Sequence, residues 1–255
     1  FGPDRLRREL LPAVCSGDRR LCFAVTEPNA GLDTSKIATR ARPAQDGWKI
    51  SGQKVWITLA QIADVAMVLA RTAPATGDDR FGGLSLFAVD LDPNHVEAIP
   101  IPKLPHNAAV SCELFFDELP VPRDRLIGRE GDGFHQLLAS LNSERVLMAA
   151  EMVGIGEASL RRGVAYATER EVFGAPIGAN QAISHPLARA RAELTAAWLA
   201  VQQAAWRLDR GLSCGAEANE AKYLAAEASY AAADAAVMVL DAAKGIEPQT
   251  LKLFE

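Results

Sequence analysis

Residues 128–134 read GREGDGF, and the periodicity of the sequence changes across this glycine-rich segment. Before it, short apolar runs rich in β-branched and aromatic residues recur, with turn residues between them. After it, apolar residues follow the spacing of helices over long stretches. The segment therefore marks a boundary between a β-rich part and a helical part of the chain.

The β-rich part extends from about Leu21 to Gly128. Its clearest strand signal is WKISGQKVWIT (48–58), in which Ser51-Gly52 predicts a turn. Further strand-like runs lie at 63–72, 84–91, 96–102 and 112–121. No helical pattern separates these runs, which favours an antiparallel β-barrel or sandwich over βαβ units.

The helical part is predicted to contain three long helices, which span Phe134 to about Glu171, Ser184–Arg210 and Ala216 to about Leu240. Pro186 is expected in the first turn of the second helix, where proline is tolerated. These helices together predict an antiparallel helix bundle, so the fold class is α+β with two successive domains.

Two features predict how the helices pack. Apolar side chains in the second helix repeat every seven residues, with two more at intermediate positions, and together they predict a stripe facing the bundle: Leu187, Leu194, Val201, Leu208, Trp198 and Ala205. The first helix contains Gly154, Gly156 and Gly163, which indicate that another backbone packs closely against it.

Composition excludes several classes of function. The 255 residues carry a net charge of −5, which gives no reason to expect a nucleic acid or an anionic membrane as a partner. The apolar stretch 231–240 is too short to cross a bilayer and contains Asp234. The four cysteines lie far apart without metal-ligand spacing, so free thiols and no metal site are expected.

Four short motifs are ordinary when each is taken alone. They are FAVTEPNAGLD (23–33), QKVWIT (53–58), EREVFG (169–174) and PIGANQAISHPLA (176–188). Read singly they suggest a surface turn, a half-buried strand pair and polar helix ends. In this order, however, they resemble the acyl-CoA dehydrogenase family, and the resemblance covers nearly the whole chain.

The resemblance implies an architecture and a cofactor. Residues 1–20 would be the end of an N-terminal helical domain that is otherwise largely absent, 21–128 the middle β domain, and 131–255 an incomplete C-terminal bundle. We accordingly expect the sequence to be part of a longer chain. In the family, FAD is held between the β domain and the bundle.

The family motifs also imply which residues bind FAD. In this chain the flavin would meet Phe23, Val25, Thr26, Trp56 and Thr58. Residues that match positions reaching the flavin of a neighbouring subunit are Arg170, Phe173 and Gln181. Such sharing implies an oligomer, a homo- or heterotetramer built as a dimer of dimers.

The catalytic base implied by the resemblance is Glu144, in SLNSERV (140–146). It would remove the α proton of an acyl-CoA thioester while the β hydrogen leaves as hydride to flavin N5, giving the trans-2-enoyl-CoA. We expect an apolar, water-poor pocket that raises the pKa of this carboxyl. Asn142 and Arg145 match positions that contact CoA.

Further partners are implied by the same resemblance. The acyl-CoA substrate would be oxidised in fatty acid β-oxidation, with an electron-transferring flavoprotein as the electron acceptor. The expected compartment is the bacterial cytoplasm or the mitochondrial matrix. Acyl length and branching stay open.

The chain departs from the family pattern in two segments. Leu32 replaces a serine, Met238 lies where glutamine is usual, and Asp241-Ala242 replace a glycine pair. These departures allow two alternatives: a non-catalytic or half-site subunit of a heteromeric enzyme, or a sequence that is incomplete between Leu240 and Lys244. A third alternative is a flavin oxidase or monooxygenase on the same fold.

Overall fold

The computed structural model describes residues 1–75, 79–104 and 107–239, and the chain divides into two compact units. We call Phe1–Ala139 the N-terminal unit and Ser140–Glu255 the C-terminal unit. The division falls early in a long helix, a few residues after GREGDGF. The domain limits given above stay predictions.

In the ranges that the structure describes, the N-terminal unit is built on one eight-stranded sheet. Its strands are β1 (Leu21–Ala24), β2 (Arg40–Ala44), β3 (Gly47–Thr58), β4 (Val65–Arg71), β5 (Leu84–Asp90), β6 (Val96–Pro100), β7 (Ser111–Pro122) and β8 (Leu126–Ile127). The order is β6-β7-β3-β2-β4-β5-β8, and β1 pairs with β4. Most neighbouring pairs are antiparallel, which confirms the predicted β domain.

Among the described residues, β1–β4 and β2–β4 are parallel strand pairings, which the sequence did not predict. β1 runs parallel to β4 over four residue pairs, and β2 meets β4 in parallel at Arg40 and Arg71. β1 is only four residues long. A strand this short carries too little periodicity to reveal its direction or its partner.

β3 is continuous, so the turn predicted at Ser51-Gly52 is wrong. The pairing of β3 with β7 shifts register between Ile50 and Gly52, which marks a bulge instead of a turn. A Cβ added at Gly52 would lie 2.5 Å from Thr39 Oγ1. The glycine is therefore needed for a close approach between chain segments.

A helix and a buried aromatic pair complete the N-terminal unit. Helix α1 (Asp4–Ser16) buries Leu6 and Leu10 and ends at Gly17 in the left-handed conformation. In the sheet core, the rings of Trp48 and Phe87 meet edge to face at 5.2 Å. Short 3₁₀ helices lie at Thr34–Lys36 and Arg123–Arg125.

The C-terminal unit is helical, as predicted. Its long elements are α2 (Gly133–Glu169), which begins in the N-terminal unit, α3 (Gln181–Asp209) and α4 (Gly215–Val239). The chain between α2 and α3 forms a hairpin of β9 (Glu171–Val172) and β10 (Ala175–Pro176), followed by a 3₁₀ helix at Ile177–Ala179. α3 begins three residues earlier than predicted, so Pro186 lies in its second turn.

The stripe on α3 that faces the bundle core differs in part from the prediction. Leu187, Leu194 and Val201 are buried, as expected. The other buried positions lie three residues after each of these, at alanines 190, 197 and 204, whereas Trp198 is exposed. Small alanines therefore fill the core positions that the sequence assigned to a larger ring.

Two glycines of α2 allow helices to pack closely, and a third does not. A Cβ at Gly156 would lie 3.0 Å from the Ser229 Cα, and one at Gly163 would lie 3.0 Å from the Ala236 Cα. Nothing lies within 4 Å of the corresponding position at Gly154. The predicted close packing is thus confirmed at Gly156 and Gly163 and wrong at Gly154.

None of the helices in the described ranges has the length and apolar character needed to cross a bilayer.

Candidate functional site

The segment that follows β1 lies against β3. The Thr26 carbonyl accepts a hydrogen bond from the Val55 N–H at 2.9 Å, and the Val25 carbonyl accepts one from the Lys54 ammonium at 2.9 Å. Val25 and Thr26 are half-buried, and Phe23 is exposed on β1. Two motifs that are well separated in the sequence are therefore brought side by side.

A buried ion pair joins these two motifs. Lys54 is 0% exposed, and its ammonium also donates to the Glu27 carboxylate at 2.9 Å and to the Leu69 carbonyl at 2.7 Å. The Glu27 carboxylate accepts the N–H groups of Ala38 at 2.7 Å and Thr39 at 3.0 Å. All three ammonium protons have acceptors, so the charge is fully hydrogen-bonded.

Burial and pairing shift both groups of this pair. Burial lowers the pKa of Lys54 to about 8, although the Glu27 carboxylate opposes this. Burial alone would raise the pKa of Glu27, but the Lys54 ammonium and the N–H donors outweigh it and hold that pKa below its ordinary value. The pair is therefore ionised at neutral pH.

Neither Lys54 nor Glu27 is among the residues that the resemblance implies for the site, although both lie in the motifs that carry it. The periodicity of β3 could have indicated that Lys54 is buried. Trp48, Ile50 and Lys54 occupy alternate positions of β3 and share its buried face, so a lysine on that face needs an acidic partner. No comparable periodicity marks Glu27, which lies in a loop after β1.

Trp56 lies in a bulge of β3, whereas the extra residue at the earlier register shift belongs to β7. The register with β7 shifts between Lys54 and Ile57, and the Trp56 backbone has φ 63°. This conformation is unfavourable for a bulky residue, and the indole is 55% exposed. Thr58, which pairs with Ser111, is also exposed. The bulge thus directs an aromatic ring and a nearby hydroxyl away from the core.

The candidate catalytic residues lie on α2 in the C-terminal unit. Arg145 Nη1 donates to Asn142 Oδ1 at 3.2 Å, one helical turn away. Glu144 is exposed in the C-terminal unit, which differs from the apolar, water-poor pocket predicted for it. Its role as a base stays a prediction.

Another group of predicted residues lies around the β9–β10 hairpin. Arg170 follows the end of α2, and its carbonyl accepts the Ile177 N–H at 2.8 Å. Phe173 and Gly174 form the two-residue turn, both with positive φ, and the Phe173 side chain is fully exposed. Gln181 begins α3 and is exposed. These three predicted residues therefore share one end of the C-terminal unit.

Glu144 and Arg170 are far apart on the molecule. They are separated by almost the whole of α2 within the C-terminal unit, roughly 39 Å at the rise of an α-helix. We call Arg170, Phe173 and Gln181 the hairpin group, and Asn142, Glu144 and Arg145 the Glu144 group. The two groups belong to two separate surfaces.

Within the described ranges, no cluster of three or more His, Cys, Asp or Glu side chains could hold a metal ion. The four cysteines are free thiols, and Cys15 is the exposed one.

Comparison with known proteins identifies the family. Residues 22–119 match the family model of the acyl-CoA dehydrogenase middle domain, and residues 131–249 match that of the acyl-CoA dehydrogenase C-terminal domain. The chain belongs to the acyl-CoA dehydrogenase family. The FAD-edge candidates lie in the first matched range, and the Glu144 and hairpin groups lie in the second.

Individual members of the acyl-CoA dehydrogenase family are similar over most of this chain. An acyl-CoA dehydrogenase of Bacillus subtilis is 39% identical over 227 residues, which are 89% of this chain and 59% of that protein. The chain thus spans about three fifths of the relative's length.

Solved structures agree. The structure of a glutaryl-coenzyme A dehydrogenase in complex with glutaryl-CoA has a TM-score of 0.93 at 32% identity. The match covers 100% of this chain and 64% of the dehydrogenase chain. PigA with FAD and proline has a TM-score of 0.92 at 28% identity and covers 99% and 65%, respectively.

The departures from the acyl-CoA dehydrogenase pattern differ in how far the structure describes them. Leu32 is fully exposed, and Met238 is 77% exposed near the end of α4. Asp241 and Ala242 lie outside the described residues.

Proposed function

We propose that this protein is an FAD-dependent acyl-CoA dehydrogenase that oxidises the Cα–Cβ bond of an acyl-CoA thioester to the trans-2-enoyl-CoA. The observation that carries the proposal is the joining of residues 25–26 to the strained, exposed Trp56 bulge, in a chain of this family. Two similar structures support it: a glutaryl-coenzyme A dehydrogenase in complex with glutaryl-CoA, and PigA with FAD and proline.

The N-terminal unit offers a surface that suits a flavin ring. A flat apolar ring needs an aromatic wall and a few directed polar groups. Trp56 provides the wall, Thr58 a hydroxyl, and Thr26 and Val25 an edge that is fixed by hydrogen bonds. Phe23 would extend the apolar surface. Bound FAD supplies the acceptor for the hydride.

Glu144 is the proposed base for the α proton. A carboxylate is a suitable base for an acidified C–H beside a thioester, provided that it is held within hydrogen-bonding reach. Asn142 and Arg145, hydrogen-bonded to each other one turn along the helix, would contact the CoA chain. The exposed position of Glu144 leaves its carboxylate accessible to a substrate.

The hairpin group is proposed to contact the FAD of a second copy of the chain. Arg170 would form a charge-assisted pair with the pyrophosphate, and Phe173 and Gln181 would complete that contact. The separation from Glu144 along α2 supports two different sites. A fully exposed phenylalanine on a tight turn also supports a partner that covers it. We propose a dimer of dimers.

A half-site subunit of a heteromeric enzyme is the second candidate. The exposed Leu32 and Met238, which replace polar residues of the family pattern, favour it because they remove hydrogen-bonding groups from the proposed FAD contacts. For the catalytic enzyme, the proposed electron acceptor is an electron-transferring flavoprotein, in fatty acid β-oxidation in the bacterial cytoplasm or the mitochondrial matrix.

The test is the Glu144→Gln variant of the full-length protein with a panel of acyl-CoA substrates. We expect FAD to stay bound while bleaching of the oxidised flavin by substrate slows at least about a hundredfold, because the base is lost. Glu151→Gln is the matched control: it makes the same change on an exposed position two turns along α2 and should bleach at the wild-type rate.

Other outcomes separate the alternatives. Unchanged bleaching in Glu144→Gln would remove Glu144 as the base. A purified complex with one substrate-reducible FAD per subunit would exclude the half-site subunit. Rapid oxidation of the reduced flavin by air would indicate an oxidase or monooxygenase.

A further inference from the structure

The buried Lys54–Glu27 pair connects four segments of the N-terminal unit. Lys54 on β3 bonds the carbonyl of Val25 after β1 and the carbonyl of Leu69 on β4. Through Glu27 it also reaches the backbone N–H groups of residues 38 and 39, just before β2. One ammonium group therefore sets the relative positions of the proposed flavin edge and two neighbouring parts of the sheet.

We propose that Lys54 and Glu27 are positioning residues, which hold the Val25–Thr26 edge and the Trp56 bulge in the arrangement that receives the flavin ring. This inference rests on the proposed function. Neither side chain is expected to touch the cofactor, because Lys54 is fully buried and Glu27 is 6% exposed.

Stability alone does not account for such a pair. Removing two charges from water is costly, and well-packed apolar side chains of similar volume often serve a core equally well. The difference lies in direction, because every polar atom of the pair ends on a defined backbone group of the surrounding segments. Apolar replacements would fill the volume without fixing those groups.

The pair also acts on Trp56 through the chain. Lys54 is the last residue of β3 in regular register with β7 before the bulge. The next residue, Val55, donates its N–H to the Thr26 carbonyl, and Trp56 follows directly. The Lys54 ammonium fixes the Val25 carbonyl, and the Val55 N–H fixes the Thr26 carbonyl. A displacement of residues 25–26 would therefore also displace the bulge that carries the Trp56 indole.

Three variants of the full-length protein separate positioning from folding. Lys54→Met keeps the length of the side chain but leaves the Glu27 carboxylate buried without its cation. The double variant Lys54→Met/Glu27→Gln removes that unpaired charge and keeps one acceptor oxygen, for the N–H group of residue 38 or of residue 39. Lys49→Met is the matched control on the exposed face of the same strand, where Lys49 pairs with Glu118.

The measurements are the FAD dissociation constant, the visible absorption spectrum of the bound flavin, hydrogen exchange of the Val55 amide, and the thermal unfolding midpoint. We expect the double variant to regain much of the midpoint that Lys54→Met loses. Its FAD dissociation constant should nevertheless stay at least about tenfold above wild type, with a shifted flavin spectrum and faster Val55 exchange. Lys49→Met should match wild type in all four.

The outcomes distinguish this inference from the proposed function. If the double variant binds FAD with wild-type affinity and an unchanged spectrum, the positioning role is overturned while the proposed function stands. If the wild-type protein binds no FAD, the proposed function is overturned, and this inference with it.

Discussion

Trp56 combines an exposed indole with a backbone conformation that a bulky residue rarely adopts. The left-handed conformation costs a residue with a Cβ about 1 kcal/mol, and glycine avoids this cost. We therefore predict that FAD-free Trp56→Gly has a free energy of unfolding about 1 kcal/mol higher than Trp56→Ala, which keeps the Cβ. Both variants should bind FAD at least about tenfold more weakly than wild type, because the aromatic wall is gone.

Chemical denaturation of the two FAD-free proteins, followed by flavin titration, measures both effects. Equal unfolding free energies for the alanine and glycine variants would show that the conformation at this position stores no strain. Wild-type FAD affinity in either variant would remove Trp56 from the proposed cofactor surface.

At the scale of single residues, the sequence indicated which residues belong to the candidate site better than it indicated which residues they contact. Trp56 and Thr58 could be singled out from their motif, but the bulge that exposes them depends on the pairing partner β7. The acidic partner of Lys54 could not be predicted, because Glu27 reaches it from a loop outside the periodic pattern of β3. Pairing across distant segments leaves no local signal.

Helix α2 offers a matched test of close packing between elements. Gly154 and Gly156 are two residues apart on one helix, but only a Cβ at Gly156 meets neighbouring atoms, with Leu194 Cδ2 at 2.6 Å and the Ser229 Cα at 3.0 Å. We predict that Gly154→Ala raises the free energy of unfolding by about 0.5–1 kcal/mol through helix propensity. Gly156→Ala should lower it by about 1–3 kcal/mol through overpacking.

Thermal and denaturant unfolding of the two variants measure this difference, and helix content should be the same in both folded proteins. A stabilised Gly156→Ala protein would mean that α3 and α4 yield to the added methyl group. A destabilised Gly154→Ala protein would indicate a contact made by that surface in the assembly.

Elements with a strong period could be predicted closely, and the way they pack could not. The predicted long helices agree with α2, α3 and α4 to within a few residues. The core face of α3 was predicted only in part, because alanine is equally compatible with buried and exposed positions. The large apolar Trp198 was therefore predicted to face the core, although Ala197 does so. Strand direction failed at β1, where four residues carry no orientation signal.

At the scale of the whole molecule, α3 has a surface that a separate chain would leave exposed to water. Residues 194–206 contain no charged side chain, although only one face of the helix is buried. On the opposite face, Leu199 is 61% exposed, and Trp206 lies seven residues later and is 53% exposed. An uncharged outer face with large apolar side chains is typical of a helix that packs against a partner.

This surface supports the proposed oligomer and predicts its response to a buried charge. Leu199→Glu should shift the assembly toward smaller species, because an unpaired carboxylate in an interface costs about 2 kcal/mol or more, roughly a thirtyfold rise in the dissociation constant. FAD affinity should fall with it, since Arg170 and Phe173 could no longer reach the second copy.

Leu212→Glu, on an exposed leucine between α3 and α4, is the matched control and should leave both properties unchanged. Sedimentation velocity over a range of concentrations measures the assembly. A Leu199→Glu protein that sediments as wild type would exclude this face from the interface, and smaller species that keep full FAD affinity would separate assembly from cofactor binding.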